Sequence, residues 1–307
     1  MTETTVIIGS SPTELAHNIA QKLDADIITS KIRTFPDGES KITLSAIPSG
    51  SCIVVQSTHP PVDTNLVFAL SLVSQAAERS DDVTVVIPYM GYGRQDRQFL
   101  PGELVTIQRI AQLFLLTGVK NILTVDIHSM TALDYFGKSV RNVSAIPSLA
   151  KHFLEMNLEH PLVISPDQGG RTRAHQFAHI LNTESLALEK RRDRNTGEIR
   201  IQNNSLSVSN RNIILVDDMV STGGSIVKAA EFLLSQGCAD IYVACTHALL
   251  VNDALQKIRD AGVRNIISSN TIPGSTATVD VSAEVADALL GYVIHTTNPA
   301  SQPELNI

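Results

Sequence analysis

Cysteine is scarce in this sequence, and long apolar runs are absent. The three cysteines, Cys52, Cys238 and Cys245, lie in or beside apolar runs without the spacing of metal ligands. We therefore expect small core residues in a reducing compartment and no disulfide framework. No stretch of about eighteen apolar residues occurs, as a transmembrane helix would need, and the first residues, MTETTVIIGSSP, lack the pattern of a signal peptide. We expect a cytoplasmic, globular protein without a membrane partner.

Positive charge is also in deficit, since the formal net charge is −7. Nonspecific binding to nucleic acid needs a broad basic face that displaces counterions, so we expect no nucleic-acid partner. The basic residues that are present form local clusters: Arg94 with Arg97, Arg171 with Arg173, and Lys190 with Arg191, Arg192 and Arg194. Such clusters are usually solvated surface, but they could also bind anionic ligands.

The order of apolar runs predicts an α/β fold. At 307 residues with 43% hydrophobic content, the chain is long enough for two α/β domains with full cores. Short apolar runs alternate with helical stretches, which predicts mostly parallel sheets flanked by helices. The predicted strands are TTVIIG, DIITS, CIVVQS, VTVVIP and NILTVD, followed by PLVISPD, RNIILVDD, IYVACTH and NIISSN. Helices are predicted over 12–23, 65–79 and 106–117.

The same rhythm in both halves predicts two similar domains. We place them at 1–158 and 159–307, with the last residues packing on the first domain. Ligands of doubly wound sheets bind at the carboxyl ends of strands. Four predicted strands end in polar segments, namely PYMGYGRQDR, DIHS, SPDQGG and the segment after Val216. We therefore expect one cleft between the domains.

The segment RNIILVDDMVSTGGSI, residues 211–226, has the most specific pattern. Residues 213–216 form a predicted buried strand, and a predicted helix runs from 225 to 237. The turn between them offers backbone N–H groups and hydroxyls to a phosphate at the positive end of the helix; its residues are Thr222, Gly223, Gly224 and Ser225. Asp217 and Asp218 suit the paired hydroxyls of a ribose and repel each other without a ligand. The alternative is a tight packing turn with two solvated acids.

Other strand ends carry weaker signals. Two cations in the segment Arg94, Gln95, Asp96 and Arg97 could brace a polyphosphate, with Asp96 holding them in position; an exposed, internally paired loop is the alternative. His128, two residues after Asp126, could face the cleft or be structural. Asp167 could form a turn or aim its carboxylate at a cation or a ribose. Because Mg²⁺ prefers oxygen ligands, chemistry alone does not predict a histidine ligand.

Two further segments leave open alternatives. Phe35, Pro36, Asp37, Gly38 and Glu39 form a predicted turn whose aromatic ring could stack on a nucleobase. A polar stretch from Lys190 to Arg211 predicts a long mobile loop, which is either a lid that closes over phosphates or a solvated loop.

The motifs together resemble the ribose-phosphate pyrophosphokinase family nearly end to end. The resemblance is carried by FPDGES at 35–40, PVDTNL at 61–66, PYMGYGRQDR at 88–97, DIHS at 126–129, SPDQGG at 165–170, EKRRD at 189–193 and VDDMVSTGGS at 216–225. Ser221, together with RQFLPGE at 97–103, is similar to the archaeal-type branch of the family. The resemblance implies two phosphoribosyltransferase-like domains of type I, each a mostly parallel sheet flanked by helices.

The resemblance also implies an activity, namely transfer of the pyrophosphoryl group of ATP to the 1-hydroxyl of ribose 5-phosphate with release of AMP. Implied ATP-binding residues are Phe35, Asp37, Gly38, Glu39, Arg94, Gln95 and Asp96. Implied ribose 5-phosphate ligands are Arg192, Asp217, Asp218, Ser221, Thr222, Gly223, Gly224 and Ser225. Lys190 and Arg192 match the family's catalytic loop, and His128 and Asp167 match positions that bind Mg²⁺.

The resemblance further implies a homodimer or a higher homo-oligomer, because the adenine pocket of the family is completed across a subunit interface. Two other functions stay open from the residues. A noncatalytic relative that binds phosphoribosyl pyrophosphate would retain the sugar-phosphate loop, and an ordinary type I phosphoribosyltransferase would use that loop with a base.

Overall fold

The computed structural model describes residues 4–192, 199–202 and 207–297, with the backbone alone given for 190–192, 199–202 and 292–297. The chain divides into two compact units. The first contains Met1–Val143 and Val281–Ile307, and the second contains Ser144–Asp280. The units therefore divide before residue 144, whereas the sequence placed the division after residue 158.

The first unit is built on a seven-stranded sheet with the order β3-β2-β1-β4-β5-β6-β7. Its elements up to residue 143 are β1 Thr4–Ile8, α1 Thr13–Lys22, β2 Asp26–Thr34, β3 Ser40–Leu44, β4 Ser51–Val55, α2 Val62–Ala77, β5 Val83–Ile87, α3 Thr106–Leu116, β6 Asn121–Val125, a 3₁₀ segment Met130–Ser139 and β7 Val140–Val143. Neighbouring strands are parallel except β2 and β3, which form an antiparallel hairpin.

The composition of these elements explains their positions. All five residues of β5 are buried, as expected for the apolar run of a parallel strand that is covered on both faces. On α3, Ile107, Ile110, Ala111 and Phe114 are buried; their spacing places them on one helix face, which packs in the core. The three helices predicted in this half are confirmed, although α2 begins three residues earlier than predicted, at Val62.

The second unit has a six-stranded parallel sheet with the order β15-β14-β13-β12-β8-β9, and a separate two-stranded ribbon of β10 and β11. Its elements are α4 Ile146–Glu155, β8 Pro161–Ser165, a 3₁₀ turn Gln168–Gly170, α5 Arg171–Leu181, β9 Glu184–Ala187, β10 Glu189–Arg192, β11 Ile199–Gln202, β12 Asn212–Val220, α6 Gly224–Ser235, β13 Ile241–Ala248, α7 Ala254–Asp260, β14 Val263–Ser269 and β15 Ala277–Val279. All nine strands predicted in the two halves are present, and the predicted fold class is confirmed.

The last helix, α8 Ser282–Thr297, belongs to the first unit. It packs on α1 and β7, and Arg141 donates a hydrogen bond of 3.1 Å to the carbonyl oxygen of Ala288. Among the helices that the structure describes, none combines the length and the apolar character that a membrane span requires.

Two predictions that bear on the candidate site differ from the structure. The sequence ended the strand of the 211–226 segment at Val216, but β12 continues to Val220 because β13 pairs with it as far as Val220 opposite Ala248. Asp217 and Asp218 are therefore strand residues, although aspartate is rare in strands. The stretch predicted as one long loop after Lys190 contains the antiparallel ribbon of β10 and β11, with Glu189 opposite Gln202.

The strand order also locates a crevice in the second unit. From β8 the chain continues to β9 on one side, whereas β12 lies on the other side of β8. A crevice forms at the carboxyl ends of two strands where the order reverses in this way, and ligands of open α/β sheets bind there. The segments SPDQGG and DDMVSTGG follow or end these two strands.

Candidate active site

An acidic pair lies near the carboxyl end of β12. Asp218 is buried and Asp217 is partly exposed. The backbone N–H of Asp218 donates to Oδ1 of Asp217 at 2.9 Å. Cys245, which is opposite Asp217 on β13, is completely buried. The pair is therefore set into the sheet, and it is not the solvated pair of the alternative reading.

Arg173 lies within reach of both acids. Its Nη1 is 3.6 Å from Oδ1 of Asp217 and 3.5 Å from Oδ1 of Asp218. The first turn of α5, directly after SPDQGG, places it there. In the sequence Arg173 was only one member of a basic cluster, because nothing local shows that α5 begins beside the end of β12. The RTR pattern directly after a strand-end motif was the one available signal.

Burial and mutual repulsion perturb the titration of this group. Burial, followed by the charge of Asp218, raises the pKa of Asp217 to about 7, although Arg173 opposes both effects. Burial, with the two acids nearby, also raises the pKa of the Cys245 thiol, which stays protonated. At neutral pH the acidic pair therefore holds a proton for part of the time, and a cation or hydroxyl donors would favour its release.

The loop after β12 is anchored from behind by the segment that follows β13. The N–H of Leu250 donates to the carbonyl oxygen of Val220 at 3.0 Å, and that of Val251 donates to Ser221 at 3.1 Å. Helix α6 starts at Gly224, with Gly223 as its N-cap at φ 77°. The predicted ligand residues thus surround the N-terminus of a three-turn helix, whose partial positive charge suits a phosphate.

Gly223 is required by its backbone and by its neighbour. At φ +77° an added Cβ would lie 2.9 Å from both Cγ1 and Cδ1 of Ile258 on α7. We expect Gly223→Ala to lower the free energy of unfolding by about 2–4 kcal/mol, because backbone strain and overpacking add. Thermal or urea unfolding checks this. Gly274→Ala is the matched control, since its Cβ would meet nothing within 4 Å; equal stability of the two variants would contradict the prediction.

The end of β8 is stabilised by its own polar groups. Asp167 caps the 3₁₀ turn by accepting a hydrogen bond of 3.1 Å from the N–H of Gly169, and Ser165 Oγ donates to the carbonyl oxygen of Asp167 at 2.7 Å. A Cβ on Gly170 would lie 2.3 Å from Ser165 Oγ and 3.5 Å from Nη1 of Arg173. Asp167 therefore forms a turn, which is one of the two roles that the sequence left open. This compact turn brings α5 and Arg173 toward β12.

In the first unit, two polar segments follow the neighbouring strands β5 and β6. These are the RQD segment, residues 94–96, and the DIHS segment, residues 126–129. Arg94, Gln95 and His128 are exposed. The Asp96 carboxylate accepts hydrogen bonds from Ser129 Oγ at 2.6 Å and Thr131 Oγ1 at 3.1 Å. The hydrogen bond from Ser129 is the largest effect that lowers the pKa of Asp96. The sequence left open that Asp96 holds the arginines in position. The two hydroxyl bonds join Asp96 to the next strand end, and the charge of Arg97 also lowers its pKa.

The order reversal of the first sheet lies between β1 and β4, and side chains fill that position. Gln56, which is fully buried, accepts at Oε1 from the N–H of Ser10 at 2.7 Å. Ser10 Oγ also donates to Oδ1 of Asn65 at 3.2 Å. A Cβ on Gly9 would lie 2.2 Å from Gln56 Oε1. The first unit thus has side chains where the second unit has its crevice, which leaves the ends of β5 and β6 as its candidate ligand surface.

The predicted turn at 35–39 is the tip of the β2–β3 hairpin. The N–H of Phe35 donates to the carbonyl oxygen of Glu39 at 2.7 Å, and the N–H of Gly38 donates to Phe35 at 2.9 Å. Asp37 and Glu39 are exposed. The guanidinium carbon of Arg33 lies 5.2 Å from the centroid of the Phe35 ring, which shows that a planar cation fits over this ring.

The structure brings some of the predicted site residues together and leaves others apart. Asp167, the acidic pair and the 221–225 loop lie at or directly after the carboxyl ends of the adjacent strands β8 and β12 in the second unit. Arg94, Gln95 and Asp96 lie beside His128 in the first unit, but β1 and β4 separate the Phe35 hairpin from β5. The side chains of Lys190 and Arg192 lie outside the described residues. Within the described part of the chain, no three His, Cys, Asp or Glu side chains form a ready metal site.

Both units of the chain match known protein domains. Residues 4–118 match the N-terminal domain of ribose phosphate pyrophosphokinase, and residues 141–280 match the phosphoribosyl transferase domain. The crystal structure of phosphoribosylpyrophosphate synthetase from Mycobacterium smegmatis has the same fold, with a TM-score of 0.82 at 24% identity over 97% of this chain and 100% of that chain.

Sequence relatives define the family. The chain is 37% identical to the ribose-phosphate pyrophosphokinase of Methanopyrus kandleri over 286 residues, which cover 92% of this chain and 98% of the relative. It is also 37% identical to that of Methanothermobacter thermautotrophicus, over 92% of this chain and 99% of the relative. The chain therefore belongs to the ribose-phosphate pyrophosphokinase family, and the resemblance to its archaeal branch is confirmed.

Proposed function

We propose that this protein transfers the β,γ-pyrophosphoryl group of ATP to the 1-hydroxyl of ribose 5-phosphate, forming phosphoribosyl pyrophosphate and AMP. The observation that carries the proposal is the crevice of the second unit. There, the acidic pair, of which Asp218 is buried, lies with its arginine one short turn from the N-terminus of α6. Carboxylates accept hydrogen bonds from ribose hydroxyls, and the helix N-terminus attracts the 5-phosphate.

The first unit supplies the nucleotide side of this proposal. Exposed Arg94 and Gln95 contact the ATP phosphates, with Asp96 in the same segment. Phe35 stacks on adenine, and the backbone and side chains of Asp37, Gly38 and Glu39 contact the nucleoside. Because β1 and β4 lie between them, β2 is about 14 Å from β5 at about 4.8 Å per strand, and the hairpin tip extends beyond the residues of β2 that pair with β1. This separation supports a homo-oligomer in which the hairpin and the RQD segment of different subunits complete one ATP site.

A divalent cation, Mg²⁺, completes the proposed chemistry. The oxygen donors of the second unit, Asp217, Asp218 and Asp167, fit a hard cation, and the repulsion that raises the pKa of Asp217 is what a cation relieves. His128 is the proposed ligand of the first unit. The cation supplies charge neutralisation for the phosphates of ATP. The chain itself orients the substrates, since phosphoryl transfer depends mainly on positioning and electrostatic stabilisation.

The decisive assay uses the purified protein with Mg²⁺, ATP and ribose 5-phosphate. We expect AMP and phosphoribosyl pyrophosphate in equal amounts, measured by anion-exchange chromatography. Pyrophosphate release only after addition of a base would instead identify a phosphoribosyltransferase. Binding of phosphoribosyl pyrophosphate in calorimetry without nucleotide binding or turnover would identify a noncatalytic relative.

Lys190 and Arg192 are the proposed catalytic cations, and Arg192 also contacts ribose 5-phosphate. We expect Lys190→Ala to lower kcat by about 1000-fold, because a cation on the transferring group stabilises charge only in the transition state. The measurement is AMP formation at saturating substrates. Lys228→Ala, at an exposed position of α6, is the control and retains full activity. A kcat within a few-fold of wild type for Lys190→Ala would remove this assignment.

A further inference from the structure

The hydrogen bonds of Asp96 are the starting observation. Its Oδ2 accepts from two hydroxyls, Ser129 Oγ at 2.6 Å and Thr131 Oγ1 at 3.1 Å. The two hydroxyl oxygens are 2.8 Å apart, so the three groups form one closed cluster. The Tyr135 hydroxyl donates to the backbone oxygen of Asp96 at 3.0 Å. Both the side chain and the backbone of Asp96 are therefore held by the chain that follows β6.

The two strand ends are also in direct van der Waals proximity. A Cβ on Gly93 would lie 3.3 Å from the Cβ of His128 and 3.7 Å from its backbone nitrogen. The backbone at Gly93, directly before the RQD segment, is therefore packed against His128. The RQD segment is also bonded to α3, because the N–H of Ile107 donates to the carbonyl oxygen of Gln95 at 3.4 Å.

Charged residues at the ends of loops usually remain mobile and cost entropy when a ligand orders them. Here Arg94 and Gln95 are exposed, but they lie between two fixed points, Gly93 against His128 and Asp96 in its hydroxyl cluster. A carboxylate that already accepts two hydroxyl hydrogen bonds, of which that from Ser129 is short, is a fixed part of the scaffold, and its negative charge would repel a polyphosphate.

We propose that Asp96 is a positioning residue, which locks the RQD segment to the segment after β6 through Ser129 and Thr131 and so presents Arg94, Gln95 and His128 in one arrangement to the nucleotide. This inference rests on the proposed function and assigns Asp96 a task other than direct ATP contact. Ser129, Thr131 and Tyr135 become supporting residues of the ATP site; Ser129 ends the DIHS motif, whereas Thr131 and Tyr135 lie outside the motifs found in the sequence.

A double-mutant cycle tests the proposal. Asp96→Ala removes the acceptor, and Ser129→Ala with Thr131→Val removes both donors. If Asp96 acts through these hydroxyls, each change lowers kcat/KM for ATP by about 10- to 100-fold, as is typical when a supporting hydrogen bond is lost. The combined variant is then no worse than either change alone. KM for ribose 5-phosphate stays within about twofold of wild type in all three.

Other outcomes overturn the proposal. A direct ATP contact of Asp96 predicts a large loss for Asp96→Ala, a small loss for the hydroxyl variants and additive effects. A merely structural role predicts loss of active protein, which lowers the apparent kcat without changing KM for either substrate. Thr117→Val, which removes the hydroxyl that donates to Phe114 at the end of α3, is the control and leaves the kinetics unchanged.

The cycle also separates this proposal from the proposed reaction. If the wild-type protein binds Mg-ATP but forms no AMP, the reaction is wrong, and the same cycle is measured on the Kd of Mg-ATP by calorimetry. Non-additive losses there support the positioning role. Additive losses, or no binding of nucleotide by the wild type, overturn it.

Discussion

We expect Arg173→Met to lower kcat/KM for ribose 5-phosphate by about 100-fold while KM for ATP changes little. The Arg173 side chain is 20% exposed and lies beside both acids. A 100-fold loss corresponds to about 2.7 kcal/mol of transition-state stabilisation. Without the guanidinium, the pKa of Asp217 rises further, and a proton stays on the pair that should accept hydrogen bonds from ribose hydroxyls.

Two variants control this experiment. Arg171→Met removes an exposed cation from the same helix and leaves the kinetics near wild type. Arg173→Lys retains the charge but not the planar donor group, so its loss lies between wild type and Arg173→Met. Steady-state kinetics with each substrate varied in turn measure all three. If Arg173→Met and Arg171→Met behave alike, Arg173 has no part in ribose binding.

Replacing Asp217 with asparagine should stabilise the ligand-free protein and impair its activity. The pKa of Asp217 is raised from 3.8 to about 7. Between these values the folded state binds more protons than the unfolded state, so wild-type stability falls as pH rises from about 4 to about 7 and is then constant. A pKa raised by about three sets an upper bound of about 4 kcal/mol on the stability that the wild type loses over this pH range.

Asparagine carries no charge and keeps an oxygen that can accept from the N–H of Asp218. Water reaches the partly exposed Asp217, so the effect is smaller than the upper bound. We expect the free energy of unfolding of the variant to exceed that of wild type by about 1–3 kcal/mol at pH 8 and by little at pH 4.5. Urea unfolding at both pH values, with a chelator present, measures the difference. We also expect kcat/KM for ribose 5-phosphate to fall by about 10- to 100-fold, because a charged acceptor is lost.

A stability difference that is the same at both pH values would show that Asp217 does not titrate between them. Asp253→Asn is the control, since Asp253 is an exposed acid that pairs with Lys257. The hydrogen bond from Lys257 lowers its pKa, so this control loses a favourable pair at pH 8 and cannot imitate the expected stabilisation.

Most strands were predictable because parallel strands covered on both faces require uninterrupted apolar runs. Val83–Ile87 and Pro161–Ser165 end where the apolar run ends, at the segments that carry the site. β12 extends beyond its apolar run. Its last four residues are held in the sheet by pairing with β13, which is a distant segment, so the strand includes Asp217 and Asp218, which the sequence placed at its tip. The nine predicted runs also omit β3, β7, β9 and β15.

The site was predictable to a different extent in each unit. The acidic pair and the loop at 221–225 are contiguous in the chain, so their chemistry could be inferred from one segment. Arg173 and the cluster of Asp96 with Ser129 and Thr131 depend on contacts between segments 33–45 residues apart. No local pattern encodes such contacts, so Arg173 looked like one member of a basic cluster and Asp96 like a direct ligand of ATP.

The sequence by itself determined the α/β class, the family and the ribose-phosphate segment, because burial patterns and contiguous motifs are local properties of the chain. Only the tertiary structure decided which strands are neighbours. Adjacency at the β8–β12 crevice brings Arg173 within 3.6 Å of both acids, and burial in the sheet raises the pKa of Asp217. Adjacency of β5 and β6 turns Asp96 from an apparent ligand into a support, since hydrogen bonds depend on distances that folding alone establishes.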